Sequence, residues 1–399
     1  MAARYDVIVV GAGIVGAASA WQILRQWPAC RLLIIEKESA PAQHQSSHNS
    51  GVVHAGVYYP AGSLKARMCR EGLQQTRDFC QRHALPFRQC GKWIVAATPQ
   101  QVPGLRALEA RARQNGLAPT WLSDGELRER QPRLAGVAAL SVKESAIVDY
   151  AAICRQLLHD VQRAGGELRC ALPVDRIDER TSEIVVGSGE QTFHARQLLC
   201  CAGLMSDRLA RLQGIDCDFR IIPFRGEFYR LAPRCDDWVP HLVYPVPDPT
   251  LPFLGVHLTP RVGGGVLAGP NAILALAREG YRRRDIDAAS LRGMASFPGF
   301  WRLLASHPRA GLRELHNAYS ARHYLKGLQQ YCPAIELHDL LPAPAGVRAQ
   351  AVSRRGELLN DFHFLQSARS IHVGNAPSPA ATSALPIGEH IAAQVLARR

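Results

Sequence analysis

Residues 5–16 read YDVIVVGAGIVG. An apolar run reaches Val10 and breaks on Gly11, Gly13 and Gly16, and the AASAWQIL that follows carries small residues and Leu/Ile as a helix would. That order of strand, glycine turn and helix constrains the fold more than any other stretch. The first glycine makes the tight turn, the second lets a pyrophosphate approach the backbone, and the third lets helix pack on strand. Helix N-terminal amides then face the phosphates. A second strand, RLLII, ends at Glu36, twenty residues beyond Gly16, where a carboxylate accepts hydrogen bonds from ribose hydroxyls. The motif predicts a dinucleotide site, and Glu36 disfavours a 2′-phosphate. No second G-x-G-x-x-G follows for a separate nicotinamide domain.

A chain of 399 residues accommodates two domains more readily than one. Its formal charge of +13 suits nucleic acid, anionic lipid or a small anionic substrate. No helix-turn-helix, zinc or RNA-binding signature accompanies the charge, so no nucleic acid partner is expected. The eleven cysteines are scattered without a CxxC pair, which argues for reduced thiols in a cytoplasmic compartment and against a disulfide frame or a metal site. The uncharged stretch Val7 to Trp21 is too short to span a bilayer easily, and no signal peptide is read at the start.

Along the chain, the strand–helix–strand unit (5–40) leads into the loop HNSGVVHAGVYY, a helix from about Leu64 to His83, the strand KWIVAAT and a charged helical region from about Pro99 to Arg130. Residues 146–165 read as a helix after AIVDY, and 167–203 as strands returning to the first sheet. From about Phe219, short strands separated by Pro/Gly turns indicate an antiparallel sheet. Residues 280–330 turn helical, and 345–399 return to strand, glycine turn and closing helix. The expected fold class is α/β with an α+β substrate domain. A Rossmann-like nucleotide domain (1–90, 146–215 and 340–399) is interleaved with an antiparallel-sheet substrate domain (91–145 and 216–339).

With GAGIVG, EKES, HQSSHNSGVVHAGVYYP, PFRGEFY, YPVPDP, FLGVHLTP, GPNA, GVRAQ and GNAPSPAATSALPIG in this order, the chain resembles the D-amino-acid-oxidase-like FAD-dependent oxidoreductases over nearly its whole length. The resemblance implies FAD. It runs the segment after Glu36 beneath the pyrophosphate and along the flavin, so Ser46, Ser47, Asn49 and Ser50 become donors to phosphate and ring oxygens. Gly51 and Gly56 permit close approach, and Val52 and Val53 pack into the core. It adds Val174 and the Ala202–Gly203 turn as cofactor contacts, although a plain strand–helix turn fits the latter equally well. Gly374, Asn375, Pro377, Ser378, Ala381 and Thr382 form a second clamp, whose helix-start amides stabilise negative charge on the reduced flavin. Related amine-oxidising flavoenzymes attach FAD covalently through a histidine near His48; nothing in the residues demands that link here.

The same resemblance sends His54, Tyr58 and Tyr59 toward the substrate. In FLGVHLT, alternation puts Val256 and Leu258 on one face and His257 and Thr259 on the other, the second face lying over the flavin. Arg348, and Arg225 with it, would hold a carboxylate through paired N–H···O bonds. The implied substrate is a small dicarboxylate: oxidation of L-2-hydroxyglutarate to 2-oxoglutarate, with hydride moving from Cα to flavin N5, His54 or His257 taking the hydroxyl proton, and Tyr58 and Tyr59 serving the distal carboxylate. An amine, amino-acid or glycerol-phosphate substrate on the same fold is a second reading, and a non-catalytic flavin- or tRNA-associated protein a third. Relatives of this type pass electrons to a membrane quinone or to oxygen, which implies peripheral contact with the cytoplasmic face of a membrane. Arg278, Arg282, Arg283 and Arg284, followed by Phe297, Phe300 and Trp301, are the candidate contact.

Overall fold

A computed structural model of the chain describes residues 4–248, 255–306, 308, 318 and 320–399. The opening strand Arg4–Val10 lies inside an eight-stranded sheet, parallel to Leu32–Ile35 on one side and Gln191–Cys200 on the other. Glu167–Arg169 extends it beyond Leu32–Ile35, and Ser370–Asn375 pairs in parallel with the end of Gln191–Cys200. A strand buried on both faces reads as continuous aliphatic sequence. Val7, Val9, Leu32 and Ile34 meet one hydrophobic cluster, while Ile8, Val10, Leu33 and Ile35 meet Ile177, Ile184 and Val186 on the other side.

The first cluster is completed by the helices Ile14–Gln26, Tyr150–Arg163 and Ala384–Leu396. The first and last of these pack backbone to backbone: a Cβ at Gly388 would lie 2.7 Å from the Ala18 carbonyl. This close approach joins the two ends of the chain in one domain.

The second sheet has nine strands and is mostly antiparallel. Its order is Ile273–Leu274, Phe219–Leu231, Val266–Gly269, His257–Pro260, Leu242–Pro245, Lys92–Ala96, Ala138–Val142 and Thr120–Ser123, with Leu340–Ser353 paired along Phe219–Leu231. The expected interleaving of two sheets is present. One boundary differs: Leu340–Ser353 belongs to the second sheet, so the last piece of the nucleotide domain starts after that strand and not at residue 340. The charged region 99–130 also differs, because Thr120–Ser123 forms a strand between the helices Val102–Gln114 and Asp124–Arg130. A run of four residues offers too little alternation to register as a strand. A small third sheet of Val52–Val53, Ala146–Val148 and Phe87–Arg88 carries the HNSG loop.

The predicted basic-aromatic surface is only partly realised. Arg278 is buried in a two-pronged ion pair with Asp207. Burial alone would raise the Asp207 carboxyl, but the hydrogen bonds and charge of Arg278, with Arg211, hold it below its usual range. Phe297 and Phe300 are core residues, whereas Trp301 is 57% exposed. Arg282 and Arg284 are exposed, and Arg283 is tied to Glu227 at 2.8 Å.

Candidate active site

The glycine turn separates three jobs. Gly11 has φ +103°, and a Cβ there would stand 2.5 Å from the Cys201 carbonyl oxygen; at Gly16 a Cβ would stand 2.0 Å from the Gly11 carbonyl oxygen. Gly13 has an ordinary extended backbone, and the one neighbouring atom its Cβ would meet is Ser46 Oγ at 3.4 Å. The space above Gly13, at a helix N-terminus, is a cradle that a side chain would fill and a phosphate fits. Ser46 Oγ accepts from the Ile14 amide at 2.9 Å, so the predicted phosphate-side serine is at that turn. Glu36 is buried and braces the turn: its carboxylate accepts from the Ala12 amide at 2.7 Å and from the Glu38 amide at 3.0 Å.

The other predicted cofactor residues divide. Asn49 folds its own loop, donating to the Gln45 and Ser46 carbonyls at 3.0 and 2.9 Å and accepting from the Gly51 amide at 2.8 Å. Gly51 packs on Val148 with φ +73°. Ser47 is exposed and bonded to the His44 carbonyl, so its hydroxyl serves a local turn, while Ser50 is half-buried. Val174 rests against the cluster that holds Leu33 and Ile35. Gly203 follows the half-buried Ala202 with φ +50°, close against Gln45.

In the C-terminal segment the Gly374 carbonyl accepts from Ser206 Oγ at 2.9 Å, and Asn375 Nδ2 donates to the Leu359 and Asp361 carbonyls. Among the described residues, Asn375 Oδ1 and Ser383 Oγ are buried without a hydrogen-bond partner. Pro377 and Ala381 are half-buried and Ser378 exposed in the turn before the last helix. Thr382 Oγ1 accepts from the His54 amide at 3.1 Å and meets the Tyr150 hydroxyl, which reaches the Val52 carbonyl at 3.0 Å. The two clamps predicted from distant segments are therefore bonded to each other.

A second group of side chains gathers on one face of the nine-stranded sheet. Val243 opposes Leu258 and packs with it in the core on the far side, which turns His257, Thr259 and Tyr244 the other way, as the alternation of FLGVHLT predicts; Phe253 and Leu254 of that segment lie outside the described residues. His257 stacks on Tyr244 at 3.9 Å between ring centroids, and its Nδ1 faces the Gly255 carbonyl at 2.9 Å. Nδ1 donates there, so Nε2 carries the lone pair. Burial, with Lys92 and Arg348 adding positive charge nearby and the Gly255 bond opposing, pushes the imidazole down to about 3. His54, half-buried, is lowered by burial and then by Lys92, His257 and Lys65, so both histidines are neutral at physiological pH.

The loop carrying His54 is held from outside: Asn115 Nδ2 donates to the Gly56 and Tyr59 carbonyls at 2.8 and 3.0 Å. Tyr58 turns toward Tyr244, with ring centroids 6.5 Å apart, and its hydroxyl is buried without a hydrogen-bond partner among the described residues. Tyr59 lies under Lys65 Nζ at 5.2 Å.

The two predicted arginines separate. Arg348 stands opposite Phe224 and Arg225 opposite Val347, so neighbours in register leave the sheet on opposite faces. The Arg348 charge is felt at His257 and Tyr244. Arg225 is 4% exposed, bonded to the Arg282 carbonyl at 3.0 Å and to Glu227 at 3.2 Å. Its expected role beside Arg348 does not fit; an internal carboxylate already holds it.

Sequence reasoning missed Lys92 and Tyr244. Lys92 is 1% exposed, with Nζ 3.9 Å from the Tyr244 ring centroid and 5.1 Å from that of Tyr58. A lysine opening the apolar run WIVA was the available signal.

The family model described as FAD dependent oxidoreductase matches residues 6–394. The chain is 46% identical to an L-2-hydroxyglutarate dehydrogenase of Salmonella houtenae, over 99% of this chain and 94% of that protein. It is 45% identical to one of Escherichia coli (strain K12), over 98% and 93%. Among solved structures, the dithionite-reduced L-alpha-glycerophosphate oxidase of Mycoplasma pneumoniae with FAD bound superposes with a TM-score of 0.81 at 22% identity, covering 99% of this chain and 95% of that one. A glycine turn left open at a helix N-terminus, a buried carboxylate after the next strand and a family match over nearly the whole length have one meaning: the chain belongs to the FAD-dependent oxidoreductase family.

Proposed function

We propose that this protein oxidises L-2-hydroxyglutarate to 2-oxoglutarate. The observation that carries the reading is the shared face on which two neutral imidazoles, an arginine and two tyrosines converge. Gly11, Gly13, Gly16, Glu36, Ser46, Asn375 and Thr382 would hold FAD, which supplies the acceptor for the two electrons that leave with the Cα hydrogen. Arg348 orients the C1 carboxylate, a task that suits a planar guanidinium. An imidazole takes the hydroxyl proton, and both histidines reach the reaction unprotonated. His54 is anchored through its amide to Thr382 at the second clamp, and His257 has its tautomer set by Gly255.

Anaerobic titration with L- and D-hydroxy acids, amino acids and glycerol phosphate, followed at the flavin absorbance, tests the reading. Bleaching by L-2-hydroxyglutarate at low concentration supports it; bleaching by an amino acid or glycerol phosphate alone overturns it.

Electrons then pass to a quinone at a membrane surface. Supporting this, Trp301 and Leu304 are 57% and 43% exposed on the helix Pro298–Ser306, and Arg282 and Arg284 are exposed nearby in the chain. No helix among the described residues is long and apolar enough to cross a membrane. Salt-sensitive co-sedimentation with anionic vesicles, weakened in Trp301→Ser, is the expected result; rapid peroxide formation with no lipid binding at low salt overturns it.

A further inference from the structure

Lys92 opens an interior strand of the nine-stranded sheet, between Leu242–Pro245 and Ala138–Val142. Among the described residues its Nζ makes no hydrogen bond or ion pair, with a carboxylate or any other group. It touches the faces of Tyr244 and Tyr58 instead. The same protein treats other buried cations differently: Arg225 is bonded to Glu227, and Arg278 to Asp207. A buried charge without a counter-charge is costly and is not retained by packing alone.

Three adjacent strands order the groups on this face. Lys92 lies on the first, Tyr244 on the second and His257 on the third, with Tyr244 in contact with both. The charge of Arg348 reaches His257 and Tyr244. Tyr58 adds a hydroxyl that is buried and unpartnered among the described residues. Two cations on one face, with a neutral imidazole between them, match an anion at each end of a short carbon chain with a hydroxyl between.

We propose that Lys92, assisted by the Tyr58 hydroxyl, is the receptor for the distal carboxylate and makes the site specific for 2-hydroxy dicarboxylates. This rests on the oxidation of a hydroxy diacid proposed above. Among the described residues, the titratable and charged groups facing Lys92 are Tyr58, Tyr244, His54, His257, Cys69 and Cys90, and none is an anion at neutral pH. Burial pushes the Lys92 ammonium down to about 7. An arriving carboxylate holds the proton on, so diacid binding weakens as pH rises above that value while monoacid binding does not.

The test measures dissociation constants of glutarate and valerate, which share a carbon count and differ in the second carboxylate, from the flavin absorbance of the FAD-loaded protein. Wild type is expected to prefer glutarate by at least about 30-fold. Lys92→Met keeps the volume and removes the charge; it should cost glutarate about 100-fold and leave valerate within about twofold. In turnover it should raise KM for L-2-hydroxyglutarate far more than it lowers kcat. Tyr58→Phe should move glutarate the same way by about tenfold, which keeps the idea testable should Lys92→Met fold poorly. An intact glutarate preference in these variants overturns the assignment. If wild type prefers glutarate, loses that preference in Lys92→Met, and yet oxidises no hydroxy diacid, the functional reading fails while the anion receptor stands.

Discussion

Replacing each glycine of the turn by alanine should produce two kinds of failure. At Gly16 the new methyl carbon would sit 2.0 Å from the Gly11 carbonyl oxygen, and at Gly11 it would sit 2.5 Å from the Cys201 carbonyl oxygen on a backbone with φ +103°. Both contacts are with backbone oxygens, so relief requires moving the helix off the turn at Gly16, or the turn off the end of the strand Gln191–Cys200 at Gly11, at a cost of about 3 kcal/mol or more. At Gly13 the methyl would meet Ser46 Oγ alone, at 3.4 Å, on a φ of −77°. The folded state tolerates it. A gain of about 0.4–1 kcal/mol from the stiffer unfolded chain offsets the loss of a glycine N-cap, which is of similar size. The damage falls on the cofactor. A phosphate oxygen bonded to the helix amides approaches to about 2.9 Å of a backbone nitrogen, and the methyl occupies that approach, so FAD affinity should fall at least about 100-fold, or roughly 2.7 kcal/mol. The assay pairs thermal melting of the flavin-free protein with titration of FAD by flavin fluorescence. Gly13→Ala should melt within a few degrees of the parent and bind FAD poorly, and Gly13→Val more poorly still. The argument is refuted by Gly13→Val carrying full flavin at parental affinity, or by flavin-free Gly13→Ala melting as early as Gly16→Ala.

Arg348→Lys should slow anaerobic flavin reduction by L-2-hydroxyglutarate about 30- to 1000-fold, the kinetic equivalent of roughly 2–4 kcal/mol, with flavin content unchanged; Arg225→Lys should lower melting temperature and leave the reduction rate nearly intact. His54→Ala and His257→Ala separate the imidazoles: loss of the base should slow reduction by about 10²–10⁴-fold, and normal rates in both variants exclude a histidine base. Because an imidazole base acts when unprotonated and His257 is held down near 3, kcat/KM should stay flat between about pH 5 and 7, without the inflection near 6.5 of an ordinary histidine. It should then decline above about 7 as Lys92 loses its proton. Asp207→Asn leaves Arg278 without its carboxylate and should cost about 3–5 kcal/mol in urea unfolding. Since the folded Asp207 carboxyl titrates below its unfolded value, its contribution is complete above the unfolded value and is lost as pH falls through the folded one.

The nucleotide domain was legible because its signals are local. A strand, three glycines and a helix lie within one short stretch, and burial on both faces leaves continuous aliphatic runs. The split of Val256 and Leu258 from His257 and Thr259 was legible for the same reason, since alternation needs no partner strand. Pairing Arg225 with Arg348 required a register between strands more than a hundred residues apart; the register sets them one position out of step, on opposite faces. Arg278 and its neighbours looked alike as a charge run, and a buried partner at Asp207 removed one of them from the surface. Lys92 went unread because a single lysine beside Trp93 resembles a strand end, and its isolation depends on which residues face it in space.

The joining of the chain's ends has a consequence for biosynthesis. The strand Ser370–Asn375 pairs with Gln191–Cys200, and the helix Ala384–Leu396 packs against Ile14–Gln26 through Gly388. The glycine turn leaves the ribosome long before the helix that backs it and the second clamp at Asn375 and Thr382. A nascent chain therefore leaves the helix surface around Ala18 uncovered until Ala384–Leu396 emerges. The site is complete only once Ala384–Leu396 has been made, and a chain cut short before Ala384 loses the helix that backs a turn whose signature it keeps.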